Sequence, residues 1–181
     1  MKVIHAKLQG VLIMEPIVHE DERGFFMESY NERLFAENGI TVRFIQDNHS
    51  MSVESGTLRG LHYQLNPMAQ TKLVRVLQGA IYDVVLDLRK DSPTYGQWEG
   101  YTISAENKRQ LLVPKGFAHG FCTLTPHTHV FYKVDEYYSP EHERGILWSD
   151  PELAIDWPCM EPILSAKDRK HPLFREAEFD F

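Results

Sequence analysis

Cysteine is scarce in this chain. Cys122 and Cys159 are the only two among 181 residues, too few and too far apart in sequence for a disulfide framework or a zinc knuckle. Two free thiols fit a reducing compartment, and buried, inert sulfur rather than a nucleophile is the expectation for both. Long apolar runs are missing too. No stretch approaches the roughly 18 residues that cross a bilayer. Met1-Lys2-Val3-Ile4-His5-Ala6-Lys7 carries charge without a following apolar core or small-residue cleavage site. A cytoplasmic protein with no membrane association is expected. Basic blocks are also absent. With 19 Lys and Arg against 26 Asp and Glu, the net charge is -7, and the densest basic cluster, 167–170, is interrupted by Asp168. Nonspecific nucleic-acid binding needs a basic face that displaces counterions, so no nucleic-acid partner is expected. Any anionic ligand must instead be held by individually placed cations. Linkers, low-complexity tracts and internal repeats are lacking, and 43% hydrophobic with 25% charged residues is an ordinary globular composition. One domain spanning 1–181 is the expectation.

Helix signals are sparse and strand signals dominate. Strand-like runs fall at 11–18, 25–30, 44–50, 58–64, 71–77, 81–88, 98–104, 110–113, 117–124 and 130–137. Turn signals at Gln78-Gly79, Ser92-Pro93, Gly96, Pro114-Lys115-Gly116 and Thr125-Pro126 separate many of them. One helix is predicted over 31–38, with Asn31 as N-cap and Gly39 as its stop, and a second short one over 151–154. In Lys72-Leu73-Val74-Arg75-Val76-Leu77 both alternating faces are largely apolar. One face then lines a barrel interior while the other meets a further sheet or subunit. The pattern predicts an all-β, double-sheet jelly-roll barrel with one or two short helices. Inward polar residues of such a barrel are site candidates.

Leu58-Arg59-Gly60-Leu61-His62-Tyr63-Gln64 places a guanidinium and an imidazole three residues apart in a strand-like run. A guanidinium offers a rigid fork of donors to phosphate or carboxylate, and imidazole suits proton transfer near neutral pH. Gln46, Asn48 and Ser50 share one strand face, which sets two amides side by side to read a base or a sugar, or else forms the polar face of an edge strand. Tyr132 and Tyr138 share one parity with Tyr137 opposite, either as proton donor and stacking ring or as packing aromatics. Among nine histidines, His127 and His129 have chelating spacing. Thr125-Pro126 before them reads as a turn and no acidic residue follows within five positions, so no metal is expected.

Six ordered segments carry a resemblance: Asp21-Glu22-Arg23-Gly24-Phe25-Phe26, Gln46-Asp47-Asn48-His49-Ser50, Leu58-Arg59-Gly60-Leu61-His62-Tyr63-Gln64, Pro114-Lys115-Gly116-Phe117-Ala118-His119-Gly120-Phe121, Tyr137-Tyr138-Ser139-Pro140-Glu141-His142-Glu143-Arg144-Gly145 and Leu164-Ser165-Ala166-Lys167-Asp168. Nearly the whole chain resembles the dTDP-4-dehydrorhamnose 3,5-epimerase family, cupin-like jelly rolls that make the L-rhamnose precursor. The resemblance implies inversion of the two carbons flanking the ketone of dTDP-4-keto-6-deoxy-D-glucose, with no redox cofactor because the carbanion delocalises into the carbonyl. It implies His62 as base, Asp168 as its hydrogen-bond partner, Lys72 near the ketone oxygen and Tyr132 as proton donor on the opposite face. Arg23, Glu28, Gln46, Asn48, Arg59, Lys72, His119, Glu143 and Lys167 are implied as substrate contacts, with Tyr138 stacking on thymine. It further implies a homodimer formed by sheet extension, with Arg23 or its neighbours donated across it, and rhamnose destined for lipopolysaccharide O-antigen or another bacterial surface polysaccharide.

Two positions depart from the family pattern. His19 stands where an aromatic is common beside the Asp21-Glu22-Arg23 motif, and the loop Val53-Glu54-Ser55-Gly56 lacks basic residues. The competing expectations are a single-centre epimerase sharing fold and base, a metal-dependent cupin oxygenase, and a non-catalytic nucleotide-sugar binding module.

Overall fold

A computed structural model describes residues 1–181. Thirteen strands form two facing antiparallel sheets and one hairpin: β1 Lys2–His5, β2 Leu12–Glu15, β3 Val18–Asp21, β4 Gly24–Met27, β5 Gln46–Ser52, β6 Leu58–Gln64, β7 Lys72–Gln78, β8 Ala80–Asp87, β9 Trp98–Ser104, β10 Gln110–Val113, β11 Phe117–Thr123, β12 Thr128–Val134 and β13 Glu143–Gly145. The first sheet runs β1-β2-β10-β7-β12-β5 and the second β13-β6-β11-β8-β9, with β3 and β4 as a separate pair. This is the double-sheet jelly roll expected from the alternation. No helix is long and apolar enough to cross a membrane.

Apolar side chains collect in three layers. Between the sheets lie Val74, Val76, Val85, Leu111, Phe117 and Val130, all buried. Outside the second sheet, Leu58, Leu61, Tyr63 and Leu86 pack against Trp157 and Phe174 of the C-terminal segment. Outside the first, Leu73 and Leu112 meet Phe35 and Ile40. The outer face of β7 is thus covered at Leu73 by the chain's own helix, α1 Glu32–Glu37, while Leu77 on the same face stays 42% exposed. Asn31 caps that helix, its side chain accepting from Leu34 N at 3.2 Å.

Several sequence expectations are corrected here. The run 11–18 breaks at Pro16 and Ile17 into β2 and β3, because proline cannot donate to the ladder. At 151–154 there is a capped turn and no helix. Asp150 Oδ1 accepts from Glu152 N and Leu153 N, and Ala154 ends the turn in the left-handed region at φ 44°. β12 stops at Val134, so Tyr138 lies beyond the strand whose parity it was to share with Tyr132. Cys122 and Cys159, distant in sequence, bring their free sulfurs to 2.9 Å, with Cys122 fully buried.

One irregularity positions the site. In the β6–β11 ladder His62 faces His119 while Arg59 faces Phe121. Three steps on β6 therefore match two on β11, which is a β-bulge at Gly60 and Leu61. It reverses the side-chain alternation. Leu58, before it, shares the outer layer with Leu61 and Tyr63 after it, and Arg59 shares the inner side with His62. Gly60 has φ 131°, and a Cβ there would lie 2.5 Å from Gly120 Cα. Gly60→Ala is expected to cost about 2–4 kcal/mol from strain and overpacking. Urea unfolding that matched the parent protein within ~0.5 kcal/mol would contradict the tight contact.

Candidate active site

A cavity of about 270 Å³ opens between the sheets, lined by Ser50, Arg59, His62, Lys72, His119, Phe121, Tyr132, Ser165, Lys167 and Asp168. It continues into a smaller space of about 90 Å³ that adds Gln64, Gln70, Tyr138 and Glu143. β6 supplies Arg59 and His62, β7 Lys72, β11 His119 and β12 Tyr132. Asp168 begins a single 3-10 turn, Asp168–Lys170, that lies against β6.

His62 Nε2 stands 2.5 Å from Asp168 Oδ1. The carboxylate is itself held by Ser165, whose hydroxyl donates to Oδ2 at 2.8 Å while the Asp168 N–H donates back to Oγ at 3.0 Å. Ser165 and Asp168 thus brace each other across a Ser-x-x-acid spacing already present in the sequence. Burial lowers the His62 pKa below its ordinary value, against the raising effect of Asp168, which keeps the imidazole free to accept a proton. The Asp168 carboxyl is raised by burial yet lies well below the usual range because His171, His62 and Ser165 stabilise its anion. Burial raises the Tyr132 phenol, with Arg59 opposing, so it remains protonated. Lys72 is half-buried, its Nζ donating to His62 O at 3.4 Å, and desolvation pushes its pKa down to about 8 against the pull of Asp83 and Glu143.

This combination of a carboxylate-oriented imidazole, a protonated phenol and a buried ammonium around one cavity can remove and return protons beside a carbonyl. A model of the dTDP-4-dehydrorhamnose 3,5-epimerase family matches residues 5–176. The Shigella flexneri dTDP-4-dehydrorhamnose 3,5-epimerase is 54% identical over 180 residues, 99% of both chains. The chain belongs to this family. Among solved structures, the Bacillus anthracis epimerase with TDP and pyrophosphate bound superposes with a TM-score of 0.94 at 63% identity, covering 95% of this chain and 98% of that one. The Legionella pneumophila enzyme in complex with dTDP-4-keto-L-rhamnose gives 0.92 at 48%, covering 97% and 93%.

Most residues implicated by the family motifs converge. Arg59 is steadied by Ser52 Oγ and Met51 O, both accepting at 3.3 Å. His119 Nε2 stands 2.8 Å from the buried Asp83 carboxylate. At the mouth, Tyr138 donates its hydroxyl to Glu143 at 2.6 Å, and Glu143 also pairs with Lys167. Burial raises the Glu143 pKa, but Lys167 and Tyr138 hold it below its ordinary value. The two amides expected side by side are so: Gln46 Nε2 donates to Asn48 Oδ1 at 2.9 Å, and Gln46 Oε1 accepts from Tyr138 N at 3.2 Å. Arg23 and Glu28 do not join them. Arg23 sits in the β3–β4 turn, paired with Asp21 and 86% exposed, and Glu28 lines a separate depression near Met1 and Leu34.

The chelating pair weighed from the sequence does not form. His127 occupies a turn at φ 49°, and His129 Nδ1 instead meets His49 Nε2 at 3.0 Å. One trio of metal-ligating side chains, His62, Asp168 and His171, has its ligand atoms within 4.8 Å. The 2.5 Å contact inside it is too short for both atoms to hold one ion tetrahedrally at about 2.0–2.2 Å. His171, Ser165, Asp83 and Gln70 are neighbours that the sequence reading did not single out.

Because its depressed pKa comes mainly from burial, Lys72 is expected to titrate near pH 8, charged below and neutral above. NMR titration of the lysine side chains checks this, with turnover expected to fall as Lys72 discharges. A Lys72 midpoint near the ordinary value of about 10.4 would contradict the desolvated site.

Proposed function

We propose that this protein is a 3,5-epimerase of dTDP-4-keto-6-deoxy-D-glucose that forms dTDP-4-keto-L-rhamnose for dTDP-L-rhamnose synthesis. The observation that carries the reading is His62 held on Asp168 in the same cavity as Lys72 and the protonated Tyr132. His62 takes the proton from a carbon beside the ketone, and the electron pair moves onto the carbonyl oxygen as an enolate. Lys72 stabilises that developing charge. Tyr132 delivers a proton to the opposite face, without which the original configuration would return. Asp168 fixes the tautomer and orientation of the imidazole. The cycle closes when His62 loses its proton and the tyrosinate regains one from solvent. Arg59 and Lys167 answer the pyrophosphate, Tyr138 stacks on thymine, and Gln46, Asn48, His119 and Glu143 answer nucleotide and sugar polar groups.

Arg23 and Glu28 act in the site of a second copy of the chain, within a homodimer. Their distance from their own cavity supports this, as do Ile17, Phe25 and Phe26, which are 61%, 57% and 68% exposed around the hairpin. Monomers with that apolar edge uncovered are hard to reconcile with ordinary solubility. His62→Ala should bind dTDP but turn over nothing, whereas Arg23→Ala should raise KM. Co-refolding the two variants should give mixed dimers that turn over at low substrate concentration, where each alone does not. Undiminished turnover by His62→Ala would remove the base assignment, and mixtures no better than Arg23→Ala alone would remove the donated arginine.

A further inference from the structure

Behind the His62–Asp168 contact stands a second imidazole. The His171 side chain is only 8% exposed, and its Nε2 lies 3.4 Å from Asp168 Oδ1, the same oxygen that meets His62. That nitrogen is buried and makes no hydrogen bond of good geometry, a costly arrangement unless the atom serves its neighbour. The ring sits edge-on to His62, with centroids 5.4 Å apart and planes at 75°. Its seat is built by Gly145, which pairs with His62 across β13 and β6. A Cβ at position 145 would come within 2.4 Å of the His171 ring.

We propose that His171 is a positioning residue of the epimerase: it backs the His62 ring and shares Asp168 Oδ1 with it, so that Asp168 orients the base without locking it in its protonated form. The inference rests on His62 being the base. A base that serves two carbons must discharge its proton between two abstractions, and an unshared buried carboxylate would hold the imidazolium too firmly. The groups facing His62 are Asp168, which favours its charged form, and Lys72 and His171, which oppose it; Glu143 lies further along the cavity. On its outer side His171 faces Tyr63, Arg144, Lys170 and Glu178 across a surface depression. Loss of His171 takes an imidazole edge away from Asp168 Oδ1 and removes a group that opposes the charged form of His62. Both changes favour the imidazolium, so the sign of the effect is fixed.

The test is the pH profile of epimerisation by His171→Leu, His171→Gln and Gly145→Ala. The leucine variant should move the acid limb of kcat/KM upward by roughly 0.5 unit or more and lower kcat about tenfold, with KM nearly unchanged. Glutamine, which keeps an N–H for Asp168, should recover most of both. Gly145→Ala reaches the same ring from another strand, at a position whose backbone is not left-handed, and should reproduce the leucine profile even if His171→Leu fails to fold. Parental limbs and kcat in the leucine and alanine variants would overturn the inference, as would a glutamine profile identical to that of leucine. If those variants behave as the parent while His62→Ala is inactive, this inference alone falls; turnover by His62→Ala would overturn the base assignment beneath it.

Discussion

Where β6 pairs with β11, Gly60 and Gly120 let the backbones approach more closely than any other residue would allow, and the geometry of the cavity depends on that contact. A regular strand sends positions three apart to opposite faces. The extra residue at Gly60 and Leu61 cancels that rule once, and Arg59 and His62 both turn inward while Leu58, Leu61 and Tyr63 keep the outer core intact. A straight β6 would have to bury one of the two polar side chains among Trp157 and Phe174, or lift a leucine out of them. Bulges are common next to active sites because they re-aim a side chain without dismantling the sheet.

Burial then sorts the protonation states. It drives His62 and Lys72 toward neutrality and Tyr132 toward its protonated form. The same physical effect thereby favours a neutral imidazole, a protonated phenol and an ammonium that still carries charge near neutral pH. Against this background the charged partners act selectively. Asp168 is anchored by Ser165 and faces two imidazoles, whereas Glu143 is spent on Lys167 and Tyr138 at the mouth. In an acidic protein, a few cations held by name rather than by number suit an anionic nucleotide.

Much of this was legible in the sequence. β6, β9 and β10 have the bounds expected from the sequence, Asn31 caps the one α-helix, and the six motifs contain the residues that line the cavity except Lys72 and Tyr132. What escaped was tertiary. No period-2 reading puts Arg59 and His62 on one face, since the bulge is defined by the partner strand. The spacing of Cys122 and Cys159 says nothing of sulfurs 2.9 Å apart. The turn at 151–154 obeys the side chain of Asp150 rather than helix propensity. Tyr138 leaves the strand because Gln64 and Gln70 side chains take the carbonyls of Tyr137 and Glu136. His171 carried no motif, and its role emerges only once Gly145 and Asp168 surround it.

The most direct measurement is incubation of the wild-type protein and Tyr132→Phe with dTDP-4-keto-6-deoxy-D-glucose in deuterated water, followed by NMR and mass spectrometry of the sugar. The account predicts deuterium at both carbons flanking the ketone, with inversion, for the wild type, and exchange without inverted product for Tyr132→Phe. Label at a single carbon would make the protein a one-centre epimerase, and label at neither would contradict proton abstraction by His62 altogether.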